Sequence, residues 1–171
     1  FSSVLVDGLT GFQGGFEDSS YGYFVPYFNG TYSGKVARVD LSDFSTVAVV
    51  DLTDTDPDLK GFYGGFTDGS YGYFVPHYNG DYFGKVARVD LSDFKNTGVA
   101  VLDLSNTDSD LKGFAGGFTD GSYGYFVPYF NDDFFGKVAR VNLSDFSTVA
   151  VLDLSNTCLL YTSDAADDVI S

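Results

Sequence analysis

The sequence is short of almost everything that marks a catalytic or a nucleic-acid-binding chain: one cysteine, one histidine, no tryptophan, no methionine, and nine lysines and arginines in 171 residues. Each shortage removes a class of explanation. A single thiol, Cys158, excludes an internal disulfide and any site built from several cysteines. Nine scattered basic residues against 24 acidic ones leave a formal net charge of −15. Phosphate neutralisation needs clustered lysine and arginine, so nucleic acid is not an expected partner. Apolar runs end at lengths such as Val47-Ala48-Val49-Val50, far below the roughly 18 residues of a helical span, so no membrane partner is expected either. No charged, apolar, small-residue leader opens the chain, and Phe1 reads as an internal position, which leaves the compartment open. Gly-x-Ser-x-Gly, His-Glu-x-x-His and a phosphate-binding glycine loop are all missing, so no cofactor is expected.

What the sequence does hold is aromatic and repetitive. It has 18 phenylalanines and 13 tyrosines, and 44% of its residues are hydrophobic, enough for a folded core. Gly11-Phe12-Gln13-Gly14-Gly15-Phe16 returns as Gly61-Phe62-Tyr63-Gly64-Gly65-Phe66 and as Gly113-Phe114-Ala115-Gly116-Gly117-Phe118, at spacings of 50 and 52 residues. The two extra residues fall around Lys95-Asn96-Thr97, where a lengthened turn before a strand would absorb them.

Each copy carries four β-like runs, in the middle copy near 61–68, 71–78, 85–91 and 98–104, separated by turn signals such as Asp68-Gly69, Asn79-Gly80 and Ser92-Asp93. The third run alternates, with Val86, Arg88 and Asp90 on one face and Ala87, Val89 and Leu91 on the other. Its neighbour Tyr73-Phe74-Val75-Pro76 is apolar on both faces, and Pro76 belongs at a strand end or bulge. Four short antiparallel strands covered on both faces suit a propeller blade, and the glycine pairs suit close backbone packing near a propeller axis. The expected class is all-β: a fragment of a β-propeller with three consecutive four-stranded antiparallel blades of about 50 residues.

Tyr71-Gly72-Tyr73-Phe74-Val75-Pro76, a polar loop, Val86-Ala87-Arg88-Val89-Asp90-Leu91 and Phe94 resemble a kelch-type repeat. Pro76-His77 stands where that family carries its glycine pair, and Phe94 where it carries tryptophan. Over residues 1–157 the resemblance implies a kelch-like propeller. The expected divisions are the end of a preceding blade at 1–10, blades at 11–60, 61–112 and 113–157, the last truncated, and a non-native tail at 158–171. Residues 158–168, from Cys158-Leu159-Leu160-Tyr161 onward, resemble a translated transposase-type sequencing adaptor. A closed propeller needs about four to eight blades, so the remaining blades of the same parent chain are expected partners.

Candidate residues follow from position within the repeat. His77 is matched by Tyr27 and Tyr129 in the other copies, and a general base does not survive that exchange; no catalytic residue is assigned. Arg38, Arg88 and Arg140 recur with Asp18, Asp68 and Asp120, one pair per blade, which is expected of structural ion pairs, the alternative being a ring of arginines that binds an anion at the channel mouth. Asp54, Asp56 and Asp58, with Asp108 and Asp110, place oxygen side chains at alternate positions as a calcium loop would, although the glycine and glutamate of an EF-hand are absent. The loops at 27–34, 77–84 and 129–136 carry Tyr27, Asn29, Tyr32, His77, Asn79, Asp81, Tyr82, Tyr129, Asn131 and Asp133, aromatic faces beside amides and carboxylates. Such loops either bind a ligand or cover the blade edges. The leading expectation is a non-catalytic binding or scaffold module that displays these loops to a protein or polysaccharide. Blades of a propeller hydrolase or lyase with its catalytic residues in missing blades, and a calcium-dependent structural repeat, are the alternatives.

Overall fold

A computed structural model describes residues 7–156. Twelve strands form three four-stranded antiparallel sheets with sequential strand order. The first sheet holds β1 (Phe12–Glu17), β2 (Tyr21–Pro26), β3 (Lys35–Asp40) and β4 (Val47–Asp51). The second holds β5 (Phe62–Thr67), β6 (Tyr71–Pro76), β7 (Lys85–Asp90) and β8 (Val99–Asp103). The third holds β9 (Gly117–Thr119), β10 (Tyr123–Phe126), β11 (Lys137–Asn142) and β12 (Val149–Asp153). The middle strands fall where the alternating and apolar runs place them. The two-residue insertion closes into a 3-10 turn at Asn96–Gly98 just before β8. Among the described residues no helix is long and apolar enough to cross a membrane. The adaptor-like tail at 158–171 lies outside the described residues.

The core sits between blades rather than within them. Period-2 alternation sends successive side chains of a strand to opposite faces, and each face meets a different neighbour. From β7, Ala87 and Val89 join Tyr23, Val25 and Val36 of the first blade. Val86 turns the other way and joins Phe126, Ala139 and Val141 of the third. All three β7 residues are fully buried, so the sequence pattern that normally separates inside from outside here separates one neighbour from the other.

The contact between blades is a ring set into a glycine pocket. Phe16 packs against the second blade, 5.7 Å from the Phe74 ring. A Cβ on Gly72 would lie 2.7 Å from the Phe16 ring, and one on Gly65 3.1 Å from it, so only glycine leaves the space. Phe66 repeats the contact on the third blade, where a Cβ on Gly117 or Gly124 would lie 2.8 Å from its ring. Innermost strands also touch through glycine: a Cβ on Gly14 would come within 3.2 Å of the Gly64 Cα.

Two expected roles are corrected by this packing. The arginine–aspartate ion pairs do not form: among the described residues the salt bridges are all made by lysine. The Arg38 guanidinium instead lies 4.3 Å from the Tyr21 ring of its own blade and 4.6 Å from Phe94 of the next. Arg88 repeats this with Tyr71 at 4.4 Å and Phe146 at 4.5 Å. A planar, weakly hydrated cation stacks between two rings at less desolvation cost than a buried ion pair demands. The aspartates serve the β1–β2, β5–β6 and β9–β10 turns. Asp68 Oδ1 accepts from the backbone N–H of Ser70 and Tyr71, and Oδ2 accepts from the Tyr73 hydroxyl at 2.8 Å; Asp18 and Asp120 hold Tyr23 and Tyr125 likewise. Burial raises the Asp18 carboxyl, but the hydrogen bonds from Tyr23, Tyr21 and Ser20 together with the Arg38 charge outweigh it and hold it below the usual range.

The second correction concerns calcium. Lys85 Nζ donates to both Asp56 and Asp58 at 2.8 Å, and Lys137 Nζ donates to both Asp108 and Asp110 at 2.7 Å. The ammonium occupies the place between the carboxylates that a cation would take. Its hydrogen bonds lower the Asp56 and Asp108 carboxyls, and the pairs raise both lysines well above their ordinary value. Asp54 accepts from the Asn96 amide. Among the described residues no group of three acidic, histidine or cysteine side chains is placed to hold a metal.

Candidate functional site

The loops at 27–34, 77–84 and 129–136 line up along one edge of the blade stack because each is tied to the inter-blade segment before it. In the middle blade the Tyr78 N–H donates to the Gly61 carbonyl at 3.1 Å. Gly61 has φ +77, and a Cβ there would lie 1.9 Å from the Tyr78 carbonyl oxygen, so a side chain would push the loop away. The Asn79 amide donates to the Asp58 carbonyl at 2.8 Å, Asn131 to Asp110 at 2.7 Å and Asn29 to Gly8 at 2.9 Å. Three expected ligand amides are thus committed to backbone. Asp133 accepts from the Phe134 N–H, while Asp81 and Asp133 remain on the exposed rim.

Held this way, the aromatic side chains form two connected rows across all three blades. The outer row runs Phe28, Tyr32, Tyr78, Tyr82, Phe130, Phe134, with successive ring centroids 5.0, 5.5, 4.8, 5.5 and 5.1 Å apart. The inner row runs Tyr27, Tyr63, His77, Tyr129 at 5.6, 4.8 and 6.2 Å. Rungs join them: Tyr27 to Tyr32 at 6.0 Å, His77 to Tyr82 at 5.8 Å and Tyr129 to Phe134 at 5.9 Å. Most contacts are edge-to-face or tilted, the preferred geometry for ring pairs, so the rows lock into a belt rather than a set of free side chains. The belt opens to solvent mostly at its ends, where Phe28 is 45%, Tyr129 48% and Phe134 73% exposed.

His77 sits inside this belt as a neutral ring. Its Nδ1 lies 2.9 Å from the Phe114 carbonyl oxygen; a carbonyl only accepts, so Nδ1 carries the proton. Burial lowers its pKa despite that bond. At the opposite end of the blades, Arg88 lines a 620 Å³ groove between the second and third blades together with Asp68 and Asp145. Two carboxylates beside a guanidinium already sandwiched between rings do not make an anion site.

Sequence reasoning placed Tyr27, Tyr32, His77, Tyr82 and Tyr129 in these loops, and the structure brings them together. It missed Phe28, Tyr63, Tyr78, Phe130 and Phe134. Four of these are loop neighbours whose recurrence in register was available; Tyr63 replaces Gln13 and Ala115 of the other copies and gave no signal.

Solved structures share this arrangement of sheets. The hydrazine synthase of Kuenenia stuttgartiensis superposes with a TM-score of 0.60 at 14% identity, over 90% of this chain and 38% of its own. Apo AztD from Citrobacter koseri gives 0.50 at 10%, over 84% and 47%. Dihydro-heme d1 dehydrogenase NirN, in complex with DHE, gives 0.50 at 12%, over 80% and 26%. The three sheets are propeller blades. At such identities the likeness extends to fold alone, and the chain spans less than half the length of each of these proteins. No protein-family model matches the sequence, and no curated protein does.

Proposed function

We propose that this chain is part of a kelch-like propeller acting as a non-catalytic binding module, whose aromatic belt receives a neutral polysaccharide. The observation that carries the reading is the continuity of the belt: ten rings from three blades, held by backbone-anchored loops on a rigid stack, with Asn and Asp at the rim. Sugar rings present flat faces of C–H groups that stack on aromatic side chains, while the exposed rim carboxylates of Asp81 and Asp133 accept from their hydroxyls. A net charge of −15 disfavours acidic glycans by long-range repulsion. His77, neutral and hydrogen-bonded within the belt, contributes to its packing rather than to proton transfer.

The test is retention on insoluble neutral glucans and xylans. The wild-type chain is expected to bind at least one of them, and Tyr129→Ala with Phe134→Ala should weaken retention about tenfold or more, since loss of stacking contributes roughly 1–3 kcal/mol. Val47→Ala, exposed on an outer strand away from the belt, should bind as wild type. Absence of binding to every neutral glycan, or equal binding by the double variant, would overturn the reading.

A further inference from the structure

Two asparagines of the chain are followed by glycine, Asn29-Gly30 and Asn79-Gly80, and both latch an aromatic loop; the other five precede threonine, aspartate or leucine. In the middle blade Lys85 Nζ holds the Asp58 carboxylate at 2.8 Å, and the Asp58 carbonyl accepts from Asn79 Nδ2 at 2.8 Å. The linker before the blade thus grips the loop through one side-chain amide. Asn29 makes the same bond to the Gly8 carbonyl and Asn131 to that of Asp110. The third latch differs in its successor, since Asn131 is followed by Asp132.

The surroundings of Asn79 leave its side chain open to its own backbone. The Asp81 N–H reaches Asn79 Oδ1 at 3.4 Å, a turn that folds the side-chain carbonyl back along the Gly80 peptide. The Gly80 N–H donates to no group among the described residues. Gly80 has φ +118, and a Cβ there would meet nothing within 4 Å; Gly30 has the same freedom at φ +108. A glycine nitrogen has no adjoining side chain to block an approach, and its backbone passes through conformations that closing a ring requires. Asp132 puts a side chain at the matching place in the third blade.

We infer that Asn79 and Asn29 are deamidation sites, and that the reaction is a slow, one-way release of the loops they latch. The Gly80 nitrogen loses its proton and bonds to Asn79 Cγ. The Cγ–Nδ2 bond breaks, Nδ2 leaves as ammonia, and a cyclic imide remains. Water opens the imide at either carbonyl, leaving aspartate or isoaspartate at position 79. Either product replaces the Nδ2–H donor with a carboxylate oxygen facing the Asp58 carbonyl, two acceptors where a hydrogen bond stood. It also adds negative charge to a loop that already carries Asp81. The effect of this release on glycan binding rests on the belt being the ligand face; the chemistry and the release of the loop do not.

Peptide mapping by mass spectrometry, after incubation of the full chain at mildly alkaline pH, tests the sites. Tryptic cuts at Lys35, Lys60, Lys85, Lys112 and Lys137 put Asn29, Asn79 and Asn131 on separate peptides. Asn29 and Asn79 are expected to convert at least about tenfold faster than Asn131, with isoaspartate detected by an isoaspartyl methyltransferase. Gly80→Asp copies the third blade, where Asp132 already sits at φ +87. It should slow Asn79 to the pace of Asn131 and leave Asn29 unchanged, with folding checked by circular dichroism. Asn79→Asp sets the product in place and should speed hydrogen exchange of the Tyr78 amide about tenfold, because the latch holds its bond to the Gly61 carbonyl. No conversion at Asn29 and Asn79, conversion of all three asparagines at one rate, or a Tyr78 amide unmoved by Asn79→Asp overturns the proposal. Every readout is independent of glycan binding, so failure here is distinct from failure of the belt as a ligand face.

Discussion

Phe146 and Phe44 form a matched pair for measuring what one blade gives another. Phe44 in the β3–β4 turn and Phe146 in the β11–β12 turn occupy the same place in their repeats and both have φ +47, so the backbone cost of a substitution cancels between them. Phe146 is 8% exposed, its ring 4.5 Å from the Arg88 guanidinium and 5.8 Å from Tyr73. Phe44 is 76% exposed. Truncating a buried phenylalanine to alanine costs about 3–5 kcal/mol, of which roughly 1 belongs here to the cation–π contact. Truncating an exposed one costs about 0.5 kcal/mol or less. Phe146→Ala should therefore lower stability by about 3 kcal/mol more than Phe44→Ala in urea unfolding followed by far-UV circular dichroism. The measurement needs an unchanged m value to be read as stability. Equal losses at the two positions would refute the claim that the core lies between the blades.

The aspartates and arginines separate in a double-mutant cycle: Asp68→Ala with Tyr73→Phe should show a coupling of about 1.5–3 kcal/mol, because a carboxylate accepts that hydroxyl, whereas Asp68→Ala with Arg88→Met should show under about 0.5. The reverse order would restore the ion pair. Burial depresses the His77 pKa below its ordinary 6.5 in the folded chain, so the unfolded chain takes the proton first as pH falls. Stability should be full above pH 6.5 and decline as pH drops from there toward the folded value. The His77→Tyr variant should lose that slope in thermal melts across pH 5–7, and an unchanged slope would show that His77 is not its source. Lys85→Met should cost about 1 kcal/mol by unclamping Asp56 and Asp58, and millimolar calcium should leave the melting temperature of the wild type unchanged; a rise would revive the metal loop.

The strands, their order and the blade count were legible because turn chemistry and repeat register agree: Asp68-Gly69 and Ser92-Asp93 bracket runs whose apolar residues leave no exposed face. The partners of the charged residues were not legible. Arg88 shares a repeat with Asp68, but its stacking partner Phe146 comes from the following repeat, 58 positions away, and linear proximity favoured the aspartate. Lys85 reaches back 29 and 27 positions to Asp56 and Asp58, a pairing that depends on how the inter-blade segment folds over β7. The aromatic loops were visible as composition, yet that their rings join from blade to blade follows only from the anchoring of Asn79 to the preceding linker.

The aromatic belt as the ligand-binding face is tested most directly by backbone amide chemical-shift mapping during titration of the full chain with a neutral xylo- or gluco-oligosaccharide. The perturbed amides are expected in residues 27–34, 77–84 and 129–136, with the turns around Asp18, Asp68 and Asp120 at the far end of the blades unmoved. Shifts confined to those turns, or none at saturating sugar, would contradict the account.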